Sequence, residues 1–325
     1  MRFRHVLGSC ALVAALIPHA ALAAPELELQ GYVDAPGAIT VLHGGDSTDP
    51  YFAMQALLLA HDNGLQTSAA AEKFVDWLLP RQKPDGTFDR FCRDAAKNWV
   101  ACKSADADDS LLAMWLRLLE TMPGKLSANP AWQKSHTVSQ ASLAHLFQPS
   151  RGVYMVSPLV LHGLFMDNLE VWSLKVHSRQ AGPRAEAEKL ARAIHDTFWN
   201  PVDKRFLVST QLEQRSQKPA FYPDHVAQVF PLLVDFPLLP AEARTHYRSW
   251  MQAHRAEWLA HGKADYPWGI IAVLALRQND KPTAACWMRE ALPLRHSARW
   301  AVTDETSYQV LAARGLRPAA AGAAC

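Results

Sequence analysis

Six acidic residues of this sequence each stand at the start of a strongly apolar run that predicts a helix. They are Asp49, Asp108, Asp167, Asp224, Asp265 and Asp304. Successive members lie 59, 59, 57, 41 and 39 residues apart. Six helices with a carboxylate at each amino end predict a closed ring with an acidic pocket at one end. Such a pocket could hydrolyse glycosidic bonds, because this reaction needs one protonated and one ionised carboxyl group.

The carboxylates differ in the role that each could take. The helix dipole favours the anion of a lone aspartate at a helix start, which suits a base or a sugar-binding group. A general acid instead needs a pKa raised by burial or by a neighbouring carboxylate. Asp108 and Asp109 follow Asp106 in the densest acidic cluster, and Glu170 lies one helical turn after Asp167. The catalytic candidates are therefore Asp49, Asp108, Asp109, Asp167 and Glu170.

A purely structural role is open for each of these residues. Any of the aspartates can be an N-cap whose side chain accepts hydrogen bonds from free backbone N–H groups. Glu170 can equally be the capping-box partner of Asp167. Aromatic and polar residues near the predicted helix starts could bind sugar rings or could simply pack in the core. The substrate-binding candidates are Tyr51, Tyr154, Tyr222, Asp224, His225, Asp265 and Trp268.

Other catalytic motifs are missing from the sequence. No HExxH motif or comparable pair of histidines with a nearby carboxylate occurs. Neither a GxSxG nucleophile motif nor a phosphate-binding glycine loop is present. We therefore expect no catalytic metal and no cofactor.

The first 24 residues predict a secretory signal peptide. Arg2 and Arg4 precede an apolar stretch that ends at a small-residue cleavage motif, Ala21-Leu22-Ala23. Elsewhere the sequence has no apolar run of the ~18 residues that a membrane-spanning helix requires. We expect a periplasmic or secreted protein with one domain at residues 25–318 and a flexible tail at residues 319–325.

The charge balance bears on nucleic-acid binding, and the cysteine content bears on disulfide formation. Without Arg2 and Arg4 the basic and acidic residues are equal in number, which argues against nucleic-acid binding. Four cysteines remain after cleavage, and an exported protein is expected to pair them as disulfides. Cys92 and Cys102 are the favoured pair; pairing of Cys286 with Cys325 is less certain.

Amphipathic segments alternate with the six apolar runs. They span residues 69–79, 131–147, 184–199, 241–259 and 284–292. Apolar helices alternating with one-sided helices predict two concentric layers. The predicted fold is all-α, an (α/α)6 barrel of six inner and five to six outer helices with short β-hairpins at the joints.

The pattern resembles the six-hairpin glycosidase superfamily, and its second hairpin is similar to glycoside hydrolase family 8, which includes bacterial cellulases. Ser104-Ala105-Asp106-Ala107-Asp108 matches the Ser-Asp-Ala-Asp-Leu motif of that family, followed by an inner helix at Leu111–Trp115. The resemblance implies that Asp108 contacts the sugar at the point of cleavage. Tyr51–Met54 is a weaker match to the family's Tyr-Gly-Met segment. The glutamate that precedes that segment is absent, because Ser47-Thr48-Asp49 stands there.

These observations favour an exported glycoside hydrolase, inverting in mechanism, that acts on a bacterial cell-surface polysaccharide or exopolysaccharide. One alternative is a polysaccharide lyase or uronate epimerase on the same barrel, in which Tyr154, Tyr222 or His225 would act as base. The other is a non-catalytic glycan-binding protein of a polysaccharide synthesis or export system, which the missing glutamate favours.

Overall fold

The computed structural model describes residues 24–178, 181–262 and 265–325, so the predicted signal peptide lies almost entirely outside the described residues. The described chain is all-α, as predicted, with twelve α-helices and three small antiparallel β-units. No helix among the described residues is long and apolar enough to cross a membrane.

Helices that are buried on nearly all sides alternate along the chain with helices that bury only one face. In chain order they are α1 (Pro50–Asp62), α2 (Ser68–Leu78), α3 (Asp108–Thr121), α4 (Pro123–Ala128), α5 (Pro130–His145), α6 (Phe165–His177), α7 (Ala181–Phe198), α8 (Val226–Leu233), α9 (Ala243–His261), α10 (Gly269–Arg277), α11 (Lys281–Ala291) and α12 (Val302–Ala313).

Short strands connect some of the helices. The strands are β1 (Ser47–Thr48), β2 (Asp89–Arg93), β3 (Trp99–Ser104), β4 (Phe147–Gln148), β5 (Val153–Tyr154), β6 (Trp199–Asn200) and β7 (Arg205–Phe206). Strands β1, β2 and β3 form one antiparallel sheet, while β4 pairs with β5 and β6 with β7. The predicted Cys92–Cys102 disulfide is confirmed, and it links β2 to β3.

The helices that follow the acidic positions pack side by side. Helix α1 contacts α3, α3 contacts α6, and α6 contacts α8. Helix α10 contacts both α8 and α12, and α12 contacts α1. These helices are buried on nearly all sides because their sequences are apolar all round; in α3 the buried stretch is continuous from Asp109 to Leu116.

The amphipathic helices cover this set from outside, each against the buried helix next to it in the chain. Helix α2 packs on α1, α5 on α3, α7 on α6, α9 on α8, and α11 on α10. No further outer helix follows α12 in the described residues. An extended segment at residues 25–48 instead lies against α12, where Glu28 N–H donates to Gln309 Oε1 (2.9 Å), and against α2, where Gly37 approaches Lys73.

The last seven residues, predicted to be a flexible tail, lie along the outer helix α11. The Cys286–Cys325 disulfide, a pairing that the sequence left open, joins this segment to the helix. Ala319 N–H donates to the carbonyl of Ala285 (2.9 Å), and Arg289 Nη1 donates to the carbonyl of Ala323 (2.9 Å). Both disulfides are therefore part of the folded unit.

Candidate functional site

The amino ends of five inner helices, α1, α3, α6, α10 and α12, meet at one cavity of about 500 Å³. Acidic and aromatic side chains dominate its wall. The carboxylates are those of Asp49, Asp106, Asp167, Asp265 and Asp304, and the aromatic side chains are those of Tyr51, Phe52, Tyr222, Phe230, Tyr266 and Trp268. A cavity of this size is in the range that small-molecule ligands occupy.

Asp49 caps α1 and also lines the cavity. As N-cap of α1, its Oδ1 accepts a hydrogen bond from the Tyr51 N–H (3.1 Å). Its Oδ2 lies 2.7 Å from Nε of Arg90, a residue of β2 that also forms an ion pair with Asp106. Burial raises the pKa of Asp49, whereas the Arg90 charge acts to lower it. Asp49 is thus a nearly buried carboxylate whose anion has a fixed counter-ion.

Unlike Asp49, Asp167 has no cationic partner among the described residues. Burial raises its pKa to about 7, and the charge of Asp106 adds to the effect. Its buried Oδ2 has no hydrogen-bond partner among the described residues. A carboxyl group in this state holds a proton near neutral pH, which is the condition a general acid must meet.

Glu170 and Asp109 lie behind the cavity lining, close to Asp167. Tyr51 Oη donates to Oε1 of Glu170 (2.8 Å), so Glu170 bonds a side chain of α1 rather than capping its own helix. Burial and the charge of Asp167 raise the pKa of Glu170 well above its usual range. Burial and the charges of Asp167 and Glu170 do the same to the pKa of Asp109, which is fully buried. The two carboxyl groups directly behind the cavity lining therefore favour their protonated form.

Asp304, in the first turn of α12, is a second cavity carboxylate with a strongly raised pKa. Burial raises it to about 7, and the side chain is 1% exposed. Its Oδ1 accepts the N–H of Gly269 at 2.7 Å, which ties α12 to the start of α10. The sequence named Asp304 among the six acidic helix starts but not among the site residues.

Trp268 and Tyr222, both predicted to bind substrate, form one aromatic wall of the cavity. Their rings stack with centroids 5.2 Å apart and planes at 30°. Trp268 has a left-handed backbone (φ 53°), an unfavourable conformation for a bulky residue. The indole N–H groups of Trp258 and Trp287 both donate to the carbonyl of Pro267, at 3.2 and 2.7 Å, and hold the chain there.

The next residue, Gly269, leaves no room for a side chain. A Cβ atom at this position would lie 2.6 Å from Ser307 Cβ and 2.6 Å from the Trp287 ring. Helix α10 therefore starts in close contact with both α11 and α12, and the position of Trp268 follows from that contact.

Asp108, the leading catalytic candidate, is not part of the cavity lining. Helix α3 begins at Asp108, and each residue of an α-helix is turned by ~100° from the one before it. Asp109 consequently points into the core. Asp108 is half-buried, and the charges of Lys83, Asp85 and Asp89, in the segment between α2 and β3, act on its pKa. Asp106, which was not among the predicted site residues, faces the cavity.

Three predicted binding residues also lie elsewhere. A π-helical turn at Phe221–His225 precedes α8, and in it Asp224 accepts the N–H of Ala220 (3.1 Å) instead of facing the cavity. His225 Nδ1 lies 3.0 Å from Oε2 of Glu257 on α9. Tyr154 is 7% exposed and packs in the core. The predicted sites at Asp224, His225 and Tyr154 are therefore outside this cavity.

Several residues that line the cavity were not among the predicted site residues. Arg90 is the most important, because it is the counter-ion of Asp49 and lies on a strand rather than at a helix start. Gln55 and Tyr266 also belong to the lining. One group of histidine and carboxylate side chains in the described chain is close enough to hold a metal ion, and it lies outside the cavity, at His225, His254 and Glu257.

Comparison with solved structures shows a shared fold at very low identity. An α-amylase from Clostridium perfringens superposes with a TM-score of 0.58 at 8% identity, covering 88% of this chain and 94% of that one. A D-mannose isomerase superposes with a TM-score of 0.50 at 10% identity, covering 87% and 94%. No family model and no curated protein matches the sequence, so the predicted likeness to glycoside hydrolase family 8 has no support beyond its short motifs.

Proposed function

We propose that this protein is a carbohydrate-processing enzyme, and more specifically an exported glycoside hydrolase built on an (α/α)6 barrel. The packing order of the inner helices, from α1 round to α12 and back to α1, supports the barrel. The two structural neighbours are by their names an amylase and a sugar isomerase, which supports a saccharide as substrate. The two disulfides support an oxidising compartment, the periplasm or the exterior.

The observation that carries the proposal is the contrast between Asp167 and Asp49 in one cavity. Asp167 has a pKa of about 7 and no cationic partner in the described part of the chain, so it serves as general acid and protonates the glycosidic oxygen. Asp49, paired with Arg90 at 2.7 Å and placed at the N-terminus of α1, serves as the ionised base. In an inverting reaction it takes a proton from water as the water oxygen bonds to the anomeric carbon.

The aromatic wall fits a sugar ring. A pyranose has apolar C–H faces and polar edges, and Trp268 with Tyr222 offers a flat apolar surface beside five carboxylates. Aromatic side chains bury large areas at little entropic cost, which suits them to anchor such a ring. The carboxylates without a catalytic role, Asp106 and Asp265, can accept hydrogen bonds from sugar hydroxyl groups.

The two alternatives have less support. Of the residues required by a lyase or epimerase, only Tyr222 lines the cavity. Tyr222 is 54% exposed, yet desolvation by the cavity wall and the charges of Asp167 and Glu170 raise its pKa to about 12, so almost none of the phenolate that would act as base is present at neutral pH. A non-catalytic binding protein does not need five carboxylates in one cavity. Partnership with a polysaccharide synthesis or export system has no support in the described residues.

The proposal is tested by incubating the purified mature protein with a panel of bacterial exopolysaccharides and cell-surface glycans. We expect new reducing ends, and proton NMR of the first product should show the anomer opposite to that of the substrate linkage. The Asp49→Asn variant should release none. Retention of anomeric configuration would contradict the inverting mechanism, and an unsaturated uronate product would support the lyase instead.

A further inference from the structure

Outside the cavity, two histidines and a glutamate converge at the junction of the π-helical turn and α9. His225 ends the turn, while His254 and Glu257 lie one helical turn apart on α9. Oε2 of Glu257 lies 3.0 Å from Nδ1 of His225 and 3.7 Å from Nδ1 of His254. All three potential ligand atoms are within 4.8 Å of one another. We propose that His225, His254 and Glu257 bind one Zn²⁺ ion, with water completing the coordination.

The spacing of the three atoms suits a tetrahedral ion. Zinc bonds to nitrogen and oxygen of ~2.0–2.2 Å place neighbouring ligands of a tetrahedral site about 3.3 Å apart. The two measured separations, 3.0 and 3.7 Å, lie on either side of that value. Small side-chain movements therefore suffice to close the site round an ion.

Packing already orients the ligands. The imidazole rings of His225 and His254 stack with centroids 4.0 Å apart and planes at 28°. Both Nδ1 atoms lie within 3.7 Å of the same carboxylate oxygen, Oε2 of Glu257. Trp250 Nε1 donates to the carbonyl of His225 (2.7 Å), which fixes the backbone of the turn on α9. Glu257 is partly exposed, which leaves a coordination position open to water.

The ligand set selects the class of metal. Imidazole nitrogen suits zinc, copper and nickel, whereas Mg²⁺ and Ca²⁺ prefer oxygen ligands throughout. Tyr222, which lines the cavity, belongs to the same five-residue turn as His225. A bound Zn²⁺ ion would therefore hold this turn against α9, and the turn carries Tyr222 of the aromatic wall.

Isothermal titration of the EDTA-treated, full mature chain with ZnCl₂ tests the site. We expect one Zn²⁺ per chain in the wild type and none in His254→Ala or Glu257→Gln. His195→Ala is the matched control, because it removes a surface histidine that also lies beside a carboxylate, at 3.3 Å from Asp196, but lacks a second histidine. It should keep the full stoichiometry, and MgCl₂ should not bind at the site.

Thermal unfolding gives a second readout that does not depend on enzymatic activity. At a hundredfold excess of Zn²⁺ over Kd, the Tm of the wild type and of His195→Ala should rise by about 5 °C, and those of the two site variants should not change. In the absence of metal, Glu257→Gln should have the same Tm as the wild type, which would show that the variant is folded. The proposal would be overturned if the wild type did not bind Zn²⁺ stoichiometrically, or if His254→Ala and Glu257→Gln bound as much Zn²⁺ as the wild type.

Discussion

The hydroxyl group of Tyr51 donates a 2.8 Å hydrogen bond to Oε1 of Glu170 and so joins the first turn of α1 to α6. Gln55 Nε2 donates in turn to the Tyr51 oxygen (3.2 Å). The bond from Tyr51 favours the ionised form of Glu170, while burial and Asp167 favour the protonated form more strongly. Tyr51 was predicted to bind substrate, and it does line the cavity, while its hydroxyl group opposes the rise in the pKa of Glu170 behind the cavity wall.

We expect Tyr51→Phe to lower kcat about tenfold and the free energy of unfolding by about 1–2 kcal/mol, because a buried hydrogen bond to a carboxyl group is lost. Steady-state kinetics and urea unfolding measure the two effects. Tyr247→Phe is a matched control, since Tyr247 donates a similar bond (2.9 Å) to Asp280 in the outer layer. It should lose comparable stability at unchanged kcat; an equal fall in kcat would show that Tyr51 has only a structural role.

Asp167→Asn should abolish most of the hydrolytic activity, by about 10²–10⁴-fold in kcat, because the amide cannot donate the proton that a general acid supplies. Its Tm should change little or rise, since a buried carboxyl oxygen without a partner contributes nothing to stability. Asp108→Asn provides the contrast, as Asp108 lies outside the cavity lining. Reducing-end assays and thermal unfolding of the two variants show which aspartate is required for activity. Loss of activity in Asp108→Asn alone would support the role in sugar cleavage that the sequence motif implied for Asp108.

Stability should fall as the pH rises from about 4 to 8. Asp304 and Asp167 have folded-state pKa values of about 7, raised by burial, against an ordinary value of 3.8. The folded state thus binds more protons than the unfolded state in this interval, and its extra stability is lost as these groups ionise. Each pKa unit corresponds to about 1.4 kcal/mol, so a shift from 3.8 to about 7 amounts to a loss on the order of 4 kcal/mol for each group.

Asp304→Asn checks this pH dependence, because the amide oxygen can still accept the Gly269 N–H. Denaturant unfolding at pH 5 and pH 8 should show a smaller difference in the variant than in the wild type. Identical pH dependence in both proteins would mean that Asp304 is not protonated in the folded state near pH 5.

The two disulfides should differ in what their removal changes. Loop-closure entropy predicts a loss of about 3 kcal/mol for Cys92→Ser/Cys102→Ser and about 4 kcal/mol for Cys286→Ser/Cys325→Ser, whose loops span 10 and 39 residues. Only the first pair should also reduce kcat, because β2 carries Arg90. Unfolding free energies and kinetics of the double variants measure both effects. An equal loss of kcat in both variants would point to a general loss of folded protein.

The helices and part of the cavity lining could be predicted from the sequence. Apolar runs all round a helix are a strong signal, and the carboxylates of Asp49, Asp167, Asp265 and Asp304 do reach the cavity from helix starts. The sequence could not distinguish Asp108 from Asp109, because adjacent positions at a helix start differ only in rotation about the axis. The helical phase is set by packing between α3 and its neighbours.

Two other features depend on tertiary structure alone. Arg90 reaches Asp49 from a strand 41 residues further along the chain, a contact that no local pattern indicates. Asp224 precedes an apolar run as the other aspartates do, but the π-helical turn directs its carboxylate to the Ala220 N–H. Both cases reflect backbone geometry at the joints, where turn chemistry rather than hydrophobic period decides where a side chain lies.

The backbone at Trp268 depends on hydrogen bonds from the outer layer. The carbonyl before it accepts indole hydrogen bonds from Trp258 on α9 and Trp287 on α11, and neither indole lines the cavity. We therefore expect substitutions at these outer-layer positions to tilt the aromatic wall without removing any group of the cavity lining. Directed evolution of ligand preference would accordingly have productive positions outside the cavity.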